Sequence, residues 1–304
     1  MYKGITLFIT ICACTALYSG HAADLAASID RNNNVTITIG ISKGKAADSL
    51  YLYRSYLDLA PMKTLDINAI PISGFRFQWS GNPFRFNDTS LADDCDYYYY
   101  ASIRLRDGSI LPSNVAHIRT LPVLLPEATD AGISLFIDKT AYFLEVRHNG
   151  TGVKRYPVSL GRNPQNRKLH QDNMSTPEGI YRVSYFKPNS AYYKAIGVSY
   201  PNAQDQRRYA QARAEEKLPM IDGKEPLIGG SIQIHGGGIG NNWTFGCIAM
   251  RNADIDELFE ISGMKVGSPI SIIGSEFTRD SLARPNRNQD IPNTRIAGLQ
   301  ADCR

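Results

Sequence analysis

A chain of 304 residues with 33 Lys and Arg against 29 Asp and Glu, formal charge +4, has no basic run and is too weakly basic to point to nucleic acid. Single domains usually take about 100–200 residues, so the length suggests two. The chain opens on Met1-Tyr2-Lys3, an apolar run ITLFITICACTALY and a small-residue end, SGHAAD. That pattern describes a secretory signal peptide over residues 1–23, cleaved after Ala22 or Ala23, rather than a membrane span. Cys14 sits in a poor context for lipidation, after Ile11-Cys12-Ala13. No later stretch is apolar enough to cross a bilayer, so an exported chain with no stable membrane span after signal cleavage is expected. Of five cysteines, Cys95, Cys247 and Cys303 then remain. An odd number in an oxidising compartment leaves at least one thiol unpaired unless chains are cross-linked.

Residues 24–125 read as all-β. VTITIGI, SLYLYRS, FRFQW, YYYYASIRL and NVAHIRTL are short β-branched and aromatic runs, separated by turn clusters such as SKGKAAD, SGNP and RDGS. Tyr97, Tyr99, Ala101, Ile103 and Leu105 alternate with Tyr98, Tyr100, Ser102, Arg104 and Arg106, a half-buried strand entering a hairpin at Asp107-Gly108. Alternation turns two of the four tyrosines outward, which favours core plus sheet face over a sugar-stacking platform. Trp79 reads as a core or edge aromatic. Leu91 stands six positions before Tyr97, a spacing that resembles the tyrosine corner of a fibronectin type III or related immunoglobulin-like sandwich. Such a module would be a spacer or would bind a partner.

LPVLLPEATDAG carries the expected boundary near residue 125. Beyond it, residues 126–274 give further strands: ISLFID and FLEVRH with a turn at His148-Asn149-Gly150, then GIYRVSYFKP, AIGVSYPN, SIQIH and VGSPISIIG. YAQARAEEKL and NADIDELFEI have helical spacing, the second opened by a capping box from Asp254 to Glu257. Residues 275–304 are polar and rich in proline and asparagine, which predicts a flexible tail.

SIQIHGGGIGNNWTFGCIAM holds one histidine and one cysteine. A thiolate is the nucleophile, and an ordinary thiol of pKa about 8.5 needs a neighbouring base to supply it near neutrality. A histidine can take that proton and later return it to a leaving amine. Acyl transfer also needs backbone N–H donors at the oxyanion, and glycine lets backbone approach substrate. His235 precedes Gly236, Gly237 and Gly238, and Gly246 precedes Cys247. A buried filler cysteine and a satisfied core histidine are the bland alternative.

IHGGG…WTFGCIAMRNADIDEL resembles the active-site region of the L,D-transpeptidase catalytic domain, the YkuD-like fold, closest to a branch reading W-T-x-G-C-I-A. DNMSTPEGIYRV (172–183) is similar to that family's D-x-x-TPEG-x-Y segment, and VSYPN (198–202) also matches. The resemblance covers about residues 130–274, and the fold class expected is mainly β: an immunoglobulin/fibronectin III-like β-sandwich plus a YkuD-like β-rich domain with short helices. It implies a periplasmic enzyme associated with the cell wall, whose partners are peptidoglycan stem peptides and which needs no cofactor. Cys247 would attack the bond before the terminal D-alanine of a tetrapeptide stem and form a thioester. His235 would be base and then acid, Gly246 and Cys247 the oxyanion donors, and Gly236 or Gly237 would orient His235 through a main-chain carbonyl. An amine would resolve the thioester, giving a 3→3 cross-link or attachment of a lipoprotein.

Two departures stand out: Phe245 where many members have histidine, and Ala249 where arginine is common, with Arg251 two positions later. Trp243 and Thr244 line the approach to Cys247, and Tyr200 and Arg251 are candidates for substrate carboxylates. Asn252 suits a helix start, and Asp172 suits the TPEG turn. His148 and His170 lack metal-ligand spacing to His235 or Cys247, so no metal site is expected. Two other outcomes compete with the transpeptidase: a cysteine peptidase or amidase cutting cross-links or lipoprotein bonds, and a silent wall-binding protein in which Cys247 pairs with Cys95 or Cys303. The N-terminal module would meet an envelope lipoprotein or a cell-wall enzyme. A reactive thiol at Cys247 supports the enzymes, whereas a disulfide there opposes both.

Overall fold

The computed structural model describes residues 23–58, 72–125 and 132–278. The expected signal peptide, but for Ala23, and nearly all of the expected tail lie outside those residues. Alternating β-branched sequence produces the first eight strands: β1 (Ala23–Ile29), β2 (Val35–Ile41), β3 (Ala47–Ser55), β4 (Ile72–Gln78), β5 (Phe84–Asp88), β6 (Asp96–Leu105), β7 (Ile110–Pro112) and β8 (Ala116–Arg119). They pair antiparallel in two sheets, β1-β2-β5 and β4-β3-β6-β7, with β8 also on β6. Val35, Ile37, Ile39 and Ile41 of β2 face inward, and so do Tyr97, Tyr99, Ala101 and Ile103 of β6. Tyr98 and Tyr100 turn to the outer face. The phenol oxygen of Tyr97 accepts from Ala92 N at 2.8 Å, beside buried Leu91. The hairpin falls at Asp107-Gly108, where Gly108 has φ 86°.

The second half contributes β9 (Ile133–Asp138), β10 (Phe143–His148), β11 (Thr151–Pro157), β12 (Gly179–Ser190), β13 (Tyr193–Val198), α1 (Ala203–Ala214), β14 (Gln233–His235), β15 (Ile248–Ala249), α2 (Asn252–Glu260) and β16 (Pro269–Ile273). Its strands form one mixed sheet in the order β11-β10-β9-β16-β12-β13-β14-β15. Positive φ at both Asn149 and Gly150 makes the tight turn between β10 and β11. α1 starts six residues before the expected YAQARAEEKL segment, because Asn202 and Asp205 form a reciprocal capping box. The box expected at Asp254 and Glu257 does not form. Arg251 is the N-cap of α2 without a side-chain cap, and Asp254 instead pairs with Arg251 Nε at 2.7 Å.

The two halves meet through buried polar contacts rather than a bare linker. Arg54, 1% exposed, binds the Asp88 carboxylate at 2.6 Å and reaches Ala141 O of the second half at 3.1 Å. Tyr56 donates to Val158 O at 2.8 Å and lies 3.0 Å from Ser159 Oγ. These bonds tie the first half to the second.

The TPEG segment is a structural junction. Glu178 binds the ammonium of Lys139 at 2.8 Å, and its second oxygen accepts from Glu276 N and Phe277 N at 3.0 and 2.8 Å. Residues 275–277 are therefore tied down, although the composition predicts a flexible tail from 275. Glu178→Ala would leave a buried ammonium uncompensated, and a loss of about 3–5 kcal/mol in urea unfolding is expected. A change under about 1 kcal/mol would refute that role.

Candidate active site

β14 and β15 run parallel with Ile234 opposite Ile248 and His235 opposite Ala249. One step back in that register sets Cys247 beside Gln233, whose N–H approaches Sγ at 3.4 Å. The pairing of two short strands, twelve residues apart in sequence, thus sets the histidine and the cysteine on neighbouring strands. Ser159 locks this edge from the other side: it pairs with Ala249 through both backbone bonds, and its hydroxyl accepts from Gly240 N at 3.1 Å.

His235 is fully buried. Its Nδ1 lies 2.6 Å from Gly236 O, and a carbonyl only accepts, so Nδ1 carries the proton. That leaves Nε2 as a lone-pair nitrogen, and it has no hydrogen-bond partner among the described residues. Burial pulls the imidazole below its ordinary pKa of 6.5, partly offset by the Gly236 carbonyl. The ring is gripped by aromatics: Tyr192 stacks at 4.9 Å and Trp243 meets it edge-on at 5.4 Å. A neutral, oriented imidazole is the result.

The glycines are required by close approach. A Cβ on Gly236 would fall 2.6 Å from Asn252 Oδ1, and one on Gly246, at φ 128°, 2.6 Å from Ser175 O. Thr244 closes the turn before the cysteine by donating to Cys247 O at 2.7 Å and accepting from Gly246 N at 3.2 Å. The Gly246 N–H, expected as an oxyanion donor, is therefore engaged inside the turn. Asn252 does not cap α2 but accepts from Gly237 N at 2.9 Å, tying the helix start to the glycine loop.

Cys247 is 1% exposed. Cys95 is a free, buried thiol, which excludes the Cys95 pairing. Burial pushes that thiol up to about 12, so it is inert near neutrality. The 3.7 Å approach of Cys247 Sγ to Ser231 O is a hydrogen bond only in the thiol state, since a disulfide sulfur has no proton to donate.

Of the other candidates, Trp243 packs on the His235 ring and Thr244 closes the Cys247 turn, whereas Tyr200 and Arg251 have partners in the scaffold. Tyr200 donates to Ile228 O at 3.2 Å and packs on Tyr181 beside α1. Arg251 joins Asp254 and donates to Asp94 O in the first half at 3.1 Å. Their polar groups serve the scaffold. Tyr192 and Lys168 are site residues that sequence reasoning missed: neither motif nor spacing distinguishes them, and only packing shows where they sit. No cluster of metal-ligating side chains occurs among the described residues.

With this geometry in view, residues 133–272 match the family model of the L,D-transpeptidase catalytic domain, YkuD. Over 124 residues the chain is 35% identical to YafK of Escherichia coli (strain K12), provisionally named an L,D-transpeptidase. The match spans 38% of this chain and 42% of that relative, less than half its length. Among solved structures, an L,D-transpeptidase from Xylanimonas cellulosilytica is similar at 16% identity and TM-score 0.31, over 50% of this chain and 64% of that one. L,D-transpeptidase 1 of Mycobacterium tuberculosis is similar at 12% identity and TM-score 0.28, over 60% and 72%.

Proposed function

We propose that this chain is an exported peptidoglycan L,D-transpeptidase whose nucleophile is Cys247 and whose base is His235. The observation that carries the reading is the buried His235 with Nδ1 held by Gly236 O and Nε2 unengaged, one strand from Cys247 within a family-matched domain. In the reduced protein, Nε2 takes the thiol proton and the sulfur attacks the stem-peptide carbonyl before the terminal D-alanine. The tetrahedral adduct collapses with cleavage of the C–N bond, the imidazolium returns its proton to the departing amine, and a thioester remains. An acceptor amine then forms the new amide and releases the thiol. Export is supported by the leader-like first 23 residues. A fibronectin-like identity for the first half is supported by its two antiparallel sheets and the Ala92–Tyr97 bond.

A second reading is a catalytically silent wall-binding protein, which a disulfide at Cys247 in the mature chain would favour. The test is mass spectrometry of muropeptides after incubating the reduced protein with disaccharide-tetrapeptide and, separately, with cross-linked sacculi. Dimers with release of D-alanine support the transpeptidase. Shortened cross-links without dimers make water the acceptor, and no change under reducing conditions supports the silent protein.

A further inference from the structure

Lys168 is a buried lysine that the chemistry above does not use. Its ammonium has three N–H donors and, among the described residues, two acceptors: Gln171 O and Phe245 O, each at 3.3 Å. It also lies 3.4 Å from where a Cβ of Gly246 would sit, against the residue that precedes Cys247. Nature could have closed this turn with a neutral donor, since burying an ammonium is costly. A third donor and a full charge placed behind the Gly246–Cys247 turn make sense if anions form there.

We propose that Lys168 is a positioning residue for the thiol reaction: it clamps the Phe245–Gly246 peptide and holds a fixed positive charge behind the turn, favouring the thiolate and the oxyanion. The inference rests on the transpeptidase reading for its purpose, though not for its electrostatics. Burial lowers the Lys168 pKa to about 8, opposed by the Asp172 carboxylate. The charge is present at neutral pH and lost above that value. The other charged neighbours are His170, whose imidazole Lys168 helps to depress, Arg208, which donates to the Lys168 carbonyl at 3.3 Å, and Arg162, stacked on the Phe245 ring at 4.9 Å.

The experiment is the pH dependence of iodoacetamide alkylation at Cys247 in the fully reduced protein, assigned by peptide mapping. Lys168→Met is expected to raise the alkylation midpoint by about one unit and to slow alkylation at neutral pH about tenfold. Lys168→Arg should recover most of the wild-type profile. An unchanged midpoint in a folded Lys168→Met protein overturns the proposal, as does an arginine variant no better than methionine. If Lys168→Met fails to fold, the wild-type curve decides: coupled loss of the ammonium should broaden it and bend it near pH 8. A single ordinary thiol titration would overturn the proposal. Muropeptide turnover separates the two ideas, because a shifted alkylation profile without D-alanine release would retain Lys168's role and reject the transpeptidase.

Discussion

Cys247→Ser is expected to abolish D-alanine release from disaccharide-tetrapeptide, by roughly 10⁴-fold or more, and the oxidised wild-type protein should be equally inactive. Both outcomes have one cause. A serine hydroxyl is a far weaker nucleophile than a thiolate, and a disulfide sulfur has no electron pair and proton arrangement that acyl transfer can use. Excess dithiothreitol should restore the wild type, the dithiol being oxidised to its cyclic disulfide as two protein thiols form. It should leave Cys247→Ser inactive. Quantitative D-alanine release from non-reduced protein, with Cys247 confirmed as oxidised, would reject the cysteine as nucleophile. So would an active serine variant. Cys95 does not confuse the thiol count, because its buried sulfur resists deprotonation near neutrality.

His235→Ala is expected to lower kcat/KM of the reduced enzyme by about 10²–10⁴-fold, the usual contribution of a positioned base. The wild-type pH profile is a second reading of the same group. Burial disfavours the imidazolium, so the folded-state pKa lies below 6.5. The lone pair on Nε2 then survives as pH falls through 6.5, and the acid limb of kcat/KM should have its midpoint below that value. A limb at or above 6.5, or an alanine variant within threefold of wild type, would sink the assignment. Loss of activity by unfolding is separable, since the ring also packs on Tyr192 and Trp243 and a His235→Gln protein can be checked by its melting temperature.

The strands were legible where a period of two met β-branched residues. β2 and β6 alternate with no conflict between propensity and burial, and the Asp107-Gly108 turn follows from glycine's freedom at positive φ. Helix ends were legible only in part. Asp254 and Glu257 have capping-box spacing, yet Asp254 pairs with Arg251, three residues before it, and that arginine also donates to Asp94 O. Local spacing cannot anticipate an arginine anchored by a carbonyl 157 residues away. Tyr200 and Arg251 illustrate a related point: a polar side chain near a motif reads as substrate-facing until its scaffold partners are known.

By itself, the sequence determined the mainly β character, because a period of two in β-branched runs sets strands, and it placed His235, Cys247 and several glycines in one short segment. It also carried the family signature across 133–272. Only the tertiary structure decided which imidazole nitrogen is free, that Gly246 N–H is engaged by Thr244, that Tyr192 and Lys168 belong to the site, and that Glu178 is a scaffold carboxylate. These are properties of contacts between segments far apart in the chain, and burial, which sets their charge states, is a property of the packed molecule rather than of any residue within it.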